Sequence, residues 1–158
     1  MRLVSYALAA LLSSFVAMFN PAYAETAHDA HAGHGTGTLA LDHGKQWPTD
    51  APLRSGMDTL RAAFAEKLPA IHRGELSTAE YQALGEKTAH EVGTIIAHCK
   101  LKPDADAMLH VVIAELMSGA DIMMGKAAGT PREGAHKAVM ALDNYGRYFE
   151  HPDWKSLE

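Results

Sequence analysis

The sequence predicts an all-α protein, an antiparallel up-down-up-down four-helix bundle behind a disordered N-terminal tail. Four helix start signals each precede a run of apolar residues at three- and four-residue spacing. The links between these runs are short, which makes consecutive helices antiparallel neighbours. No stretch alternates apolar and polar residues between hairpin turns, so we predict no sheet.

The four helices are predicted at about residues 50–72, 77–100, 103–125 and 131–150. Asp50 caps the first helix, and Pro103 opens the third. The second and fourth helices begin at capping boxes, in which a Ser or Thr and a Glu three residues later satisfy each other's backbone N–H groups. These boxes are Ser77-Thr-Ala-Glu80 and Thr130-Pro-Arg-Glu133.

The end of the first helix and the composition of the core are also predictable. Pro69 is expected to kink or end the first helix, and Gly74 to close it. The apolar stripes predict a core of Leu, Val, Ile, Met and Ala side chains. Its members include Leu84, Val92, Leu116 and Leu142.

The first residues are typical of a secretory signal. Arg2 precedes an apolar run over residues 3–19, and Ala22-Tyr-Ala24 forms an A-x-A cleavage site before Glu25. A retained transmembrane helix is the alternative, but the run is short and small polar residues follow it. We therefore predict a cleaved signal peptide at 1–24, a His-rich tail at 25–38 and a bundle at 39–158, located in the periplasm.

Charge and motifs exclude several function classes. The chain carries a net charge of −5 at pH 7, or about −6 once Arg2 is removed with the signal. No basic patch indicates a nucleic-acid partner, and no second apolar run could span a membrane. The sequence lacks the H-E-x-x-H and G-x-S-x-G motifs and the paired Glu-x-x-His of di-iron bundles, so we do not expect an enzyme.

The tail carries three histidines in seven residues, which are His28, His31 and His34. Neutral imidazole binds zinc, copper or nickel, and short His-rich tracts are typical of metal binding. The flexible Gly- and Ala-rich surroundings would let several imidazoles wrap one ion. The alternative is a solvated linker in which these histidines bind nothing.

Soft metal ligands concentrate at one predicted end of the bundle. Antiparallel packing brings together the start of the first helix, the end of the second, the start of the third and the end of the fourth. We expect Met57 and His98 to approach each other there, with Trp47 covering the site, because thioether, thiolate and imidazole suit Cu(I). The candidate ligands at this end are Met57, His98, Cys99, Met108 and His110, whereas His72 and His136 lie at the opposite end.

Each of these residues also has a structural alternative. Met57 and Met108 fall on apolar stripes and are typical of core residues, and Cys99 is typical of a buried, inert thiol. His98 is equally consistent with a boundary residue hydrogen-bonded to a carbonyl. His110 is typical of a solvated helix flank.

An exported four-helix bundle with a Met near the start of helix 1 and an aromatic-rich end of helix 4 resembles the cytochrome b562 / cytochrome c′ class. That resemblance implies a haem at this bundle end, with Met57 in the position of the haem-binding Met. The chain departs from the pattern because it has no C-x-x-C-H and no His at the axial position of helix 4, unless His151, just beyond the end of that helix, takes its place. The segment from Leu39 to Met57 also resembles exported bacterial helical-bundle proteins that follow a His-rich leader.

From the sequence we predict a periplasmic protein that binds and handles a transition metal, copper first and zinc as an alternative metal. A b-type haem electron-transfer or sensor bundle is the second hypothesis. The third is a structural or partner-binding bundle in which the histidines are incidental. The sequence indicates no particular protein partner or oligomeric state.

Overall fold

The structure is a computed structural model that describes residues 37–158, and in that range the chain forms a four-helix bundle. The predicted signal peptide and nearly all of the predicted tail lie outside the described residues. The helices are α1 (Ala51–Arg73), α2 (Thr78–His98), α3 (Pro103–Met123) and α4 (Pro131–Tyr148). No strand forms within residues 37–158, so the predicted all-α class is confirmed.

The helices begin where the capping signals predict. The Asp50 side chain accepts a hydrogen bond from the Leu53 N–H at 2.9 Å. Both capping boxes are present, at Ser77 with Glu80 and at Thr130 with Glu133. The third helix begins at Pro103 without a side-chain cap.

Pro69 does not end α1, which continues to Arg73. The helix then closes at Gly74, whose φ of 68° is left-handed and whose N–H reaches the Ala70 and Ile71 carbonyls. The prediction that Gly74 closes the helix is therefore confirmed, and a helix end at Pro69 is not observed. The missing N–H of Pro69 costs one hydrogen bond, and the packing of Ile71 in the core holds the last turn in place.

Hydrogen bonds between helix ends show that α1 runs antiparallel to α2 and to α4. Asp50 also accepts from the Lys100 N–H at 2.6 Å, which joins the start of α1 to the end of α2. Trp47 donates its N–H to the Tyr148 carbonyl and accepts from the Glu150 N–H, each at 2.8 Å. The segment before α1 therefore enters at the end of α4, as the sequence predicts.

The core consists of the predicted apolar stripes. Leu84, Val92, Leu116 and Leu142 are all buried. Met57, Phe64, Tyr145 and Phe149 are completely inaccessible. Burial of this apolar surface is the main driving force for the bundle.

Two glycines let α3 and α4 approach closely. A Cβ added to Gly119 would lie 2.6 Å from the Gly134 carbonyl oxygen, and one added to Gly134 would lie 2.7 Å from the Gly119 carbonyl oxygen. No side chain fits at either position unless the backbones separate. The two glycines therefore set the distance between these helices.

The chain after α4 folds back along the bundle. Trp154 lies against Gly146 and Tyr145 of α4, and the Arg61 side chain of α1 donates to the Lys155 carbonyl. Residues 149–158, here called the C-terminal segment, therefore contact both α1 and α4. Among the described helices, none combines the length and the apolar character needed to cross a membrane.

Candidate metal centre

Two histidines meet at the end of the bundle where α1 finishes and α4 starts. His72 lies in the last turn of α1, and His136 lies in the second turn of α4. Arg132 fixes this junction, because its guanidinium donates to the His72 carbonyl at 2.5 Å. The two imidazole rings stack with centroids 5.6 Å apart and planes within 6°.

A carboxylate from the C-terminal segment completes the group. The Glu158 Oε1 lies 2.7 Å from the His72 Nε2. The backbone of Glu158 is positioned by Asp143 of α4. The Asp143 Oδ1 and Oδ2 accept hydrogen bonds from the N–H groups of Leu157 and Glu158 at 2.7 and 3.1 Å, respectively. Asp143 is almost completely buried, so it is a fixed anchor for this part of the segment.

His72, His136 and Glu158 each offer one ligand atom, and the three atoms lie within 4.8 Å of one another. Among residues 37–158, this is the one group of three His, Cys, Asp or Glu side chains with that property. Ligand atoms that share an ion with bonds of about 2 Å lie about 3 Å apart. His72 and Glu158 are exposed, so their side chains have room to change rotamer around an ion, which the two stacked imidazoles would need to do to point at the same metal.

The chemistry of the group suits a divalent transition metal. Two imidazole nitrogens and one carboxylate oxygen are ligands that zinc, copper, nickel and iron(II) accept. Three protein ligands also leave coordination positions open. His136 is half-buried, which limits the directions in which its ring can turn.

Sequence reasoning assigned His72 and His136 to the same bundle end but did not recognise them as a site. Glu158 was missed because no periodic pattern places a non-helical segment against a helix. A signal was nevertheless present, since Trp154 and Leu157 are large apolar residues beyond the last helix. Such residues indicate a segment that packs on the bundle.

The predicted ligands at the opposite end differ in their exposure to solvent. Met57 is fully buried in the core. His98 is exposed, and its Nδ1 lies 2.8 Å from the Thr94 carbonyl oxygen of its own helix, which is the carbonyl contact that the sequence left open. His110 is also exposed, with its Nδ1 2.8 Å from the Asp106 carbonyl oxygen.

Cys99 and Met108 are half-buried and pack against the core. Burial raises the pKa of the Cys99 thiol, and the nearby Asp50 and Asp106 carboxylates raise it further. The Trp47 indole donates to the Ala40 carbonyl at 2.7 Å. His28, His31 and His34 lie outside the described residues, so copper binding by the tail stays a prediction. Copper binding at the Met57 end also stays a prediction.

A second polar cluster surrounds His151. Its side chain is 5% exposed, with Nδ1 3.0 Å from the Tyr145 hydroxyl and Nε2 3.4 Å from an Asp58 oxygen. Burial raises the pKa of Tyr145, and the Asp58 charge adds to this effect. Because both ring nitrogens have partners, His151 links the C-terminal segment to α1 and α4.

Comparisons with protein families, with curated proteins and with solved structures identify no match for this chain. The described residues form a four-helix bundle, and no comparison connects this chain to the cytochrome b562 / cytochrome c′ class. Architecture alone does not determine function. The functional argument therefore depends on the chemistry of this chain's own residues.

Proposed function

We propose that this chain is an exported, periplasmic metal-binding protein that holds a transition-metal ion, copper foremost, between His72, His136 and Glu158. The observation that supports this proposal is the convergence of three ligand atoms from three separate parts of the chain within 4.8 Å. The metal would replace the direct contact between His72 and Glu158 and bridge all three side chains.

Copper is favoured by general coordination chemistry. Sites built from nitrogen and oxygen ligands bind Cu²⁺ more tightly than the other divalent first-row metals, with zinc below it. The histidines of the tail offer the same nitrogen ligand and would raise the local concentration of ions near the bundle. The role proposed is capture and handling of the ion, with no catalytic step.

The haem hypothesis has less support from the described residues. The Met57 side chain is fully buried in the core, and both ring nitrogens of His151 have partners within the protein. A haem would have to displace these contacts before either residue could act as an axial ligand. A Soret band in the purified chain would nevertheless establish haem and overturn the proposal.

The test uses the full chain with His28, His31 and His34 replaced by Ala, so that the tail cannot bind ions. Affinities for Cu²⁺ and Zn²⁺ are measured by competition with a chromophoric chelator. In this background, His72→Ala, His136→Ala and Glu158→Gln should each weaken binding by about tenfold or more. His90→Ala is the matched control, because His90 is an exposed helical histidine outside the group.

Two results would contradict the proposal. One is the absence of Cu²⁺ and Zn²⁺ binding in the background chain. The other is metal affinity in His136→Ala as high as in the His90→Ala control, which would show that His136 is not a ligand.

A further inference from the structure

One exposed methionine stands beside the candidate metal centre. Met140 on α4 is 62% exposed. Among the described residues, the other exposed large apolar side chains are Leu41 and Ile96. Single exposed apolar residues are common, so exposure alone assigns no role. The position of Met140 relative to the ligands carries the argument.

Met140 follows His136 by four residues on the same helix. Side chains at this spacing are neighbours on the helix surface, with Cβ atoms about 5–6 Å apart. Long side chains on a helix also lean toward its N-terminus, which directs Met140 back toward His136. The two residues line one surface depression between α3 and α4.

Met140 also borders the carboxylate ligand. Met140 and Glu158 line a second depression together with Asp143, the residue that anchors the C-terminal segment. Met140 therefore shares one surface depression with a histidine of the candidate centre and a second one with its carboxylate. The neutral thioether needs no deprotonation and keeps its flexibility on the surface.

We propose that Met140 is a fourth ligand of this centre, and that it makes the site selective for Cu⁺. The proposal rests on the metal centre proposed above and names its preferred ion. Thioether sulfur and imidazole are ligands that Cu⁺ prefers, whereas carboxylate suits harder divalent ions. His72, His136 and Met140 would hold Cu⁺, and Glu158 would contribute mainly to Zn²⁺ or Cu²⁺ binding.

The experiment compares two substitutions and two ions in the full chain with the tail histidines replaced by Ala. Cu⁺ affinity is measured anaerobically against a Cu⁺-specific chelator, and Zn²⁺ affinity against a zinc chelator. Met140→Leu should weaken Cu⁺ binding by about tenfold or more and change Zn²⁺ affinity by less than about twofold. Glu158→Gln should show the opposite pattern.

Three controls make the result specific. Met117→Leu removes a thioether from α3 and should change neither affinity. X-ray absorption of the Cu⁺-loaded chain should show a sulfur ligand that is absent in Met140→Leu. Met57→Leu tests the predicted site at the opposite bundle end in the same assay.

The outcomes separate this inference from the proposed function. If Met140→Leu keeps full Cu⁺ affinity while His136→Ala loses binding of all ions, Met140 is no ligand but the metal centre stands. If Met57→Leu alone weakens Cu⁺ binding, the Cu⁺ site lies at the opposite end, and this inference is wrong. If neither His72→Ala nor His136→Ala affects any ion, both proposals fail.

Discussion

Asp143 positions Glu158 through the peptide backbone. The buried carboxylate of Asp143 accepts the Glu158 N–H at 3.1 Å, and the Glu158 side chain then reaches His72 at 2.7 Å. A residue of α4 therefore sets the place of a carboxylate that contacts α1. This relationship makes Asp143 a positioning residue for the proposed metal centre.

Asp143→Asn should loosen the C-terminal segment. Only one of the two Asn side-chain groups can accept a hydrogen bond from a backbone N–H, so one of the partly buried N–H groups of Leu157 and Glu158 loses its partner, at a cost of about 1–3 kcal/mol. Urea denaturation should show a loss of this size, and Zn²⁺ affinity should fall as well. Asn144→Ala, next to it on the same helix, is the control. Unchanged Zn²⁺ affinity in Asp143→Asn would show that the segment does not position Glu158.

Gly119→Ala should destabilise the bundle although Ala favours helices. The new Cβ would lie 2.6 Å from the Gly134 carbonyl oxygen, so α3 and α4 must separate. We expect a net loss of about 1–3 kcal/mol in the free energy of unfolding, measured with urea. Gly93→Ala on α2 is the matched control, because its Cβ would meet nothing within 4 Å. That control should stabilise the chain by up to about 1 kcal/mol, and equal effects of the two substitutions would contradict the close contact.

The capping box of α2 predicts a specific dependence on pH. The backbone N–H and hydroxyl of Ser77 donate to Glu80 at 2.8 and 2.7 Å, which lowers the pKa of Glu80 below its ordinary value of 4.5. A carboxyl whose folded-state pKa is lowered stabilises the fold above its unfolded pKa, and this stabilisation is lost as the pH falls through the folded pKa.

Glu80→Gln should therefore be less stable than the unsubstituted chain at pH 7, and the difference should shrink toward pH 3. Urea midpoints measured across this range check the expectation. Glu86→Gln, an exposed glutamate of the same helix with no capping contact, is the control and should show no such trend. A difference for Glu80→Gln that stays constant with pH would rule out this role of the carboxylate.

The tail histidines make a separate prediction. Replacing His28, His31 and His34 with Ala should lower the number of divalent ions bound per chain, because the tract would supply imidazole ligands in addition to those of the candidate centre. The melting temperature without metal should stay unchanged, since these residues precede the bundle. Ion stoichiometry by elemental analysis and thermal unfolding by circular dichroism measure both quantities. The same stoichiometry in both chains would show that the tract is a linker.

The helix starts were predictable because they depend on local chemistry. Asp50, Ser77 and Thr130 each satisfy backbone N–H groups within their own first turn, and the sequence shows this directly. The helix ends were less well predicted. The second helix ends at His98 rather than residue 100, because Cys99 has an extended backbone conformation.

The candidate metal centre was not predictable in the same way, because its three residues come from distant parts of the chain. Topology correctly assigned His72 and His136 to one end, but Glu158 depends on a non-helical segment held by Asp143. The sequence analysis instead predicted a metal site at the other end of the bundle, because several sulfur-containing side chains were expected near Met57. Met57 is buried in the core, as its place on an apolar stripe indicated, and its role as a metal ligand stays a prediction.

Because the three residues of the candidate centre come from distant parts of the chain, metal binding there depends on prior folding. An unfolded chain cannot hold His72, His136 and Glu158 together, so an ion at this centre would act as a cross-link that exists only after folding and would oppose unfolding. The three histidines of the tail are close in sequence and need no folded bundle. A newly made chain could therefore meet its first ion through the tail and retain one in the bundle only after α1, α4 and the C-terminal segment have assembled.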